Sequence, residues 1–194
     1  MSPVPVTEHG CGVAGAVLTG GASRRMGADK AFVEVGGTSL VRRVAAALAA
    51  GGCRPVFAVG GDLVRLRAAG LEAVRDGWPG EGPLGGIVTA VRHAGVPTVV
   101  VATDLVDLDA PTVGALARHA GRVDLDAVVA RTDRLEPLCA LWWPSAVEAL
   151  AAHLAAGERA VHAALPGLRL EVEQVRPGAL TNANTPHDLG RSTR

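Results

Sequence analysis

The chain has 194 residues, 48% of them apolar and 20% charged, and its 19 lysines and arginines balance 19 aspartates and glutamates to a formal net charge of +0. That length and apolar content suit a single globular domain with a sizeable core and exclude a disordered chain. Balanced charge argues against nucleic acid or an anionic membrane surface as the main partner, and an aromatic content of 3% leaves few platforms for stacking bases.

Residues 1–11 contain two prolines and no basic cluster, so they read as a loose lead-in without the pattern of a signal peptide. No apolar run approaches the length of a membrane span. Cys11, Cys53 and Cys139 are too widely spaced for a disulfide framework or a zinc site, and Cys53 and Cys139 read as small core residues. The histidines show no metal-ligand spacing. Together these features predict a cytoplasmic protein.

Val13-Ala14-Gly15-Ala16-Val17-Leu18 reads as a buried first strand. It runs directly into Thr19-Gly20-Gly21-Ala22-Ser23-Arg24-Arg25-Met26-Gly27-Ala28-Asp29-Lys30. A glycine-rich turn brings backbone N–H groups close to a ligand, and Arg24, Arg25 and Lys30 add cations to the same loop. Amides and cations so concentrated suit a triphosphate. The loop is not a P-loop, because Lys30 stands three residues beyond Gly27 and is followed by Ala31 instead of Ser or Thr. The dinucleotide fingerprint is also missing.

Thr38 reads as the cap of a helix carrying Leu40, Val41, Val44, Ala45 and Leu48. Residues 55–59 form a second strand, and Asp62 caps a short helix through Leu66 that ends near Gly70. Residues 71–75 form a third strand, 84–93 a helix and 97–102 a fully apolar strand. Beyond residue 120 the strand–helix rhythm breaks. A helix over 111–120, strands over 126–131 and 138–142, a helix over 144–156 starting at a proline, and a last strand over 168–175 follow. The fold class is therefore α/β: one domain over 12–192, with a mostly parallel central sheet, helices on both faces and an antiparallel element in the second half.

Asp104 follows the apolar run Val99-Val100-Val101-Ala102-Thr103. The carboxyl end of such a strand faces the ligand crevice of an open α/β sheet, and one carboxylate there can hold Mg²⁺ together with substrate phosphates. Asp107 lies nearby, and Asp109 reads as the cap of the next helix. Arg75-Asp76-Gly77-Trp78-Pro79-Gly80-Glu81-Gly82-Pro83-Leu84-Gly85-Gly86 is a second glycine-rich loop that enters a helix.

Leu-x-Gly-Gly-x-Ser-x-Arg-Met-Gly-x-Asp-Lys across residues 18–30 resembles the signature of the molybdenum cofactor guanylyltransferases, which have a Rossmann-like nucleotide-diphospho-sugar transferase fold. Gly82-Pro83-Leu84-Gly85-Gly86, Glu136-Pro137-Leu138-Cys139-Ala140-Leu141, Ala156-Gly157-Glu158-Arg159-Ala160 and Thr181-Asn182-Ala183-Asn184-Thr185-Pro186 extend the resemblance to nearly the whole chain. It implies a nucleotide half over about 12–110 and an acceptor half over about 111–192. It implies GTP as donor, molybdenum–molybdopterin as acceptor and Mg²⁺ as the metal, with molybdoenzymes or cofactor-delivery proteins as further partners. Leu18, Thr19, Gly20, Gly21, Gly27, Lys30, Asp76 and Asp104 become nucleotide contacts, Lys30 and Arg24 the catalytic cations, and Asp104 the metal ligand. Asn182 and Asn184 either contact the acceptor or form an Asx turn before a last helix. Gly20-Gly21 favours GTP over CTP on the same resemblance. A cytidylyltransferase, a sugar-phosphate nucleotidyltransferase and a catalytically silent nucleotide-binding protein remain alternatives. The chain departs from the family pattern at three places. Thr19 stands where Ala is more common, Asp104-Leu105-Val106 lacks a proline, and Ala58-Val59-Gly60-Gly61-Asp62 lacks an Asn after the second strand.

Overall fold

The computed structural model describes residues 12–20 and 29–181. The residues Gly21, Arg24, Gly27, Asn182 and Asn184, expected at the site from the sequence, lie outside them, as does the lead-in.

Strand β1 (Ala14–Leu18) is entirely buried and lies between β4 (Val56–Val59) and β6 (Thr98–Ala102), parallel to both. Beyond β4 comes β5 (Glu72–Val74), also parallel. On the other side β6 pairs antiparallel with β8 (Leu135–Trp142), which pairs antiparallel with β7 (Ala127–Arg131), and β7 pairs in parallel with β9 (Leu170–Gln174). Among the described residues the sheet has seven strands in the order β5-β4-β1-β6-β8-β7-β9, and β8 alone of these is reversed. This is the expected α/β fold with its antiparallel element in the second half.

Side chains alternate between two buried layers, as the period of a strand requires. Val17, Ala58, Val99 and Val101 face one cluster, completed by α1 (Leu40–Ala50), α2 (Leu63–Ala68) and α4 (Ala110–Ala117) through Val44, Leu48, Leu66, Val113 and Leu116. Ala16, Leu18, Phe57, Val59 and Val100 face the other, covered by α3 (Pro83–Ala94), α5 (Val147–Ala155) and α6 (Val161–Ala164) through Ile87, Val88, Val91, Leu150, Leu154 and Val161. Cys53 and Cys139 lie fully inside, and burial pushes both thiols up to about 12, as inert core residues.

Three local expectations are corrected. Thr38 is not the cap of α1: it pairs with Val35 in a small hairpin of β2 (Glu34–Val35) and β3 (Thr38–Ser39), and Ser39 stands at the cap position without a side-chain bond. Gly36 and Gly37, at φ +58 and +77, supply the two left-handed positions of a tight hairpin turn. The helix that opens at Pro144 begins as a 3-10 turn, Pro144–Ala146, before α5. Strand β8 starts at Leu135, ahead of the expected residue 138, because a register shift between Val129 and Ala130 accommodates Pro137 within the strand. The caps at Asp62 and Asp109 form as expected, with bonds from Val64 and Arg65 and from Thr112.

A polar clamp closes the far side of the sheet. Buried Asp126 accepts from Ser145 Oγ at 2.6 Å, from Arg169 N and Nε at 3.0 Å each and from Arg169 Nη2 at 2.6 Å. The Arg169 guanidinium, ahead of the Ser145 hydroxyl, holds this carboxyl well below the usual carboxylate range despite its burial. A depressed folded-state value stabilises the fold fully above about pH 4 and loses that contribution as pH falls through the folded-state value. Asp126→Asn is expected to lower unfolding free energy by about 2 kcal/mol at pH 7, with the gap to wild type narrowing in acid denaturation below pH 4.

Candidate active site

The strand order reverses at β1, and the carboxyl ends of β1 and β6 therefore flank the crevice where ligands bind in open α/β sheets. The two ends are tied together: Leu18 O accepts both the amide and the hydroxyl of Thr103. Leu18 itself is buried, with its side chain under α3 against Gly86.

Asp104 follows Thr103 in a tight turn in which its carbonyl accepts from Val106 N at 3.0 Å. Its side chain is 30% exposed, and its Oδ2 lies 3.3 Å from Lys30 Nζ, whose side chain is 18% exposed. Lys30 starts a 3-10 turn, Lys30–Phe32, capped by Asp29 through Ala31 N at 3.2 Å. Residues separated by more than seventy positions thus meet at the crevice.

Asp76 stands on the other flank. Its Oδ1 accepts from Trp78 N at 2.9 Å and from Thr89 Oγ1 at 3.2 Å, and Thr89 also receives Gly77 N at 3.0 Å. These bonds fix the carboxylate and turn Oδ2 toward Gly20, 3.9 Å from where a Cβ on that glycine would lie. Among the described residues Oδ2 accepts no hydrogen bond. Thr19 and Gly20 sit between the two carboxylates, at the root of the arm.

A cleft of about 510 Å³ opens from Asp104. Pro83, Leu105, Pro137, Leu138 and Val161 make its apolar walls, and Arg134, Glu136, Arg159 and His162 supply its charged and titratable groups. Arg134 is held by Glu136 at 2.6 Å, and Arg159 by Glu81. Glu158 accepts from the amides of Arg159 and Ala160 at 2.7 Å each, which sets the entry into α6. The segments around Glu136-Pro137 and Arg159-Ala160, far apart in the chain, therefore share one cleft with Asp104. Arg134 and His162 escaped the sequence reading. Arg134 lies two residues before Glu136, on the same face of an extended chain, and this spacing was the available signal.

Thr181, just before Asn182, accepts from Val106 N at 3.3 Å and so brings the chain back to the Asp104 turn. Asp109 is occupied elsewhere. Partial burial would raise its carboxyl, but bonds from Thr112 and Arg176 outweigh this and lower it. Among the described residues, no group of three His, Cys, Asp or Glu side chains is arranged to hold a metal ion, and no helix is long and apolar enough to cross a membrane.

The fold is that of the nucleotide-diphospho-sugar type of nucleotidyltransferase. A molybdenum cofactor guanylyltransferase from Cereibacter sphaeroides is 37% identical over 92% of this chain and 94% of its own. A probable molybdenum cofactor guanylyltransferase from Opitutus terrae is 33% identical over 97% of this chain and 98% of its own. Among solved structures, molybdopterin-guanine dinucleotide biosynthesis protein A from Archaeoglobus fulgidus superposes with a TM-score of 0.78 at 27% identity, covering 92% of this chain and 96% of that one. Residues 15–170 match the MobA-like NTP transferase domain, and the chain belongs to that family.

Proposed function

We propose that this chain transfers GMP from GTP to the phosphate of molybdenum-bound molybdopterin and releases pyrophosphate. The observation that carries the reading is the Lys30–Asp104 pair at 3.3 Å, whose carboxylate also lines the cleft of about 510 Å³. The phosphate that attacks the α-phosphorus is already ionised near neutral pH, so no general base is required. Chemistry of this kind rests on alignment and on neutralising phosphate charge.

Lys30 binds a phosphate oxygen once the nucleotide displaces Asp104 from its ammonium. The Asp76 carboxylate, pinned through Oδ1, offers Oδ2 to a nucleotide hydroxyl above Gly20. The apolar walls at Pro137, Leu138 and Val161 hold the flat acceptor, and Arg134 and His162 face its phosphate. Asp104 would hold Mg²⁺. A single carboxylate fits that ion, which keeps waters and takes phosphate oxygens as its remaining ligands. Magnesium bound there would supply charge neutralisation at the phosphates. Arg24 adds a second cation, and Asn182 and Asn184 contribute to the acceptor side. Molybdoenzymes or their cofactor-delivery proteins are the expected recipients of the product.

Titration calorimetry in Mg²⁺ tests the base assignment. GTP is expected to bind at least about tenfold more tightly than CTP, about 1.4 kcal/mol. Preference for CTP overturns the reading in favour of cytidylyl transfer.

A further inference from the structure

We infer that Val106 is a positioning residue for the Lys30–Asp104 pair: with Val33, Val35 and Leu40 it builds a small apolar cluster that locks the turn bearing the carboxylate onto the segment bearing the lysine. The inference rests on reading that pair as the metal and phosphate groups of the proposed reaction, and concerns how the two are held in register.

Val35, Leu40 and Val106 are buried together, with Val33 packed against them, in a cluster apart from the two layers that cover the sheet. Its members come from three places. Leu40 is the first residue of α1 and supplies a fixed seat. Val33 and Val35 follow Lys30, and residues two apart on an extended segment face the same side. Val106 comes from the turn that follows β6, two residues after Asp104.

Backbone bonds tie these apolar residues to their charged neighbours. Val33 N donates to Lys30 O at 3.2 Å and Leu40 N to Val33 O at 3.0 Å, which fastens the 3-10 turn of Lys30 to the start of α1. Val106 N donates to Asp104 O at 3.0 Å. Leu105 and Leu108 of the same stretch enter the layer under α1, α2 and α4, so this turn is pinned from two directions while the Asp104 side chain stays at the crevice.

The ion pair cannot do this work itself. Both of its side chains are partly exposed, and such pairs contribute too little to hold two distant segments together. On the proposed function the pair is also broken when nucleotide takes the ammonium, just when alignment matters most. The cluster survives that exchange. Separating its methyl groups would expose apolar surface to water, so the two backbones stay in place and only the charged side chains re-aim.

The test is a double-mutant cycle on pyrophosphate release from GTP, comparing Val106→Ala, Lys30→Ala and the two together. Val106→Ala opens the cluster and leaves both charges in the chain. It is expected to lower kcat about tenfold, because misplacing reacting groups by up to an ångström costs as much as about a hundredfold, with KM for the acceptor within about twofold. Val35→Ala trims the cluster from the lysine side and is expected to give the same pattern; it decides the matter should Val106→Ala fail to fold. In the Lys30→Ala background either change should cost less than about a further twofold. A merely structural role lowers the rate by the same factor in both backgrounds, and that result overturns the inference, as does a kcat within about twofold of wild type. Faster release from CTP than from GTP overturns the guanylyl reading instead, and the same cycle run with CTP then decides the role of Val106.

Discussion

Asp104→Asn is expected to slow pyrophosphate release by about a thousandfold at saturating GTP and acceptor, with the fold intact. The substitution keeps the shape of the side chain at the end of β6 and removes only its charge. In the free protein that charge faces Lys30 across 3.3 Å, and on our reading it holds Mg²⁺ in the working complex. Loss of one charge stabiliser in a water-poor site costs about two to three powers of ten in rate. Stability responds little, because ion pairs with this degree of solvent access contribute about 0–1 kcal/mol. In a chain of this size that shifts the melting midpoint by at most about 3 °C. Residual activity should rise with Mg²⁺ concentration. Turnover within about tenfold of wild type would remove Asp104 from the chemistry.

Lys30→Ala should lose at least about a hundredfold in kcat, measured by the same release of pyrophosphate. Lys30 is anchored at the start of its 3-10 turn by the Asp29 cap and reaches the crevice from the far end of the arm. Lys30→Arg is expected to recover only part of the loss, because the guanidinium fork is longer, planar and differently hydrated. The two crevice residues act on the same phosphate charge. The double variant should therefore fall little below the weaker single variant, far short of the product of the two losses. Multiplicative losses would show that the two act at independent points.

Much of this architecture is written in local patterns. The four parallel strands β1, β4, β5 and β6 and the helices between and after them are legible because β1 and β6 are unbroken apolar runs and because Asp62 and Asp109 sit where helix caps belong. Lys30, Asp76 and Asp104 stand out because each is a charged residue set at the edge of an apolar or glycine-rich segment. Features that depend on pairing are harder to see. Pro137 hides the start of β8, since a proline inside a strand is tolerated only where the ladder is already shifted, and the shift between Val129 and Ala130 belongs to the partner strand. Gly36-Gly37 signals a hairpin, but the two-residue strands on either side are too short to show alternation, so Thr38 looks like a cap. Helix α6, with four residues, carries too little periodicity, and its entry depends on the Glu158 side chain folding back onto two amides. The cleft draws on β8, α6 and the Asp104 turn at once, so its shape exists only in the assembled fold.

The most direct measurement incubates the protein with GTP, Mg²⁺ and molybdenum-loaded molybdopterin and follows pyrophosphate together with the mass of the cofactor. Stoichiometric pyrophosphate and a cofactor heavier by one GMP unit are expected, with CTP giving neither at a comparable rate. Pyrophosphate without GMP on the cofactor, or faster product from CTP, would contradict guanylyl transfer by this chain.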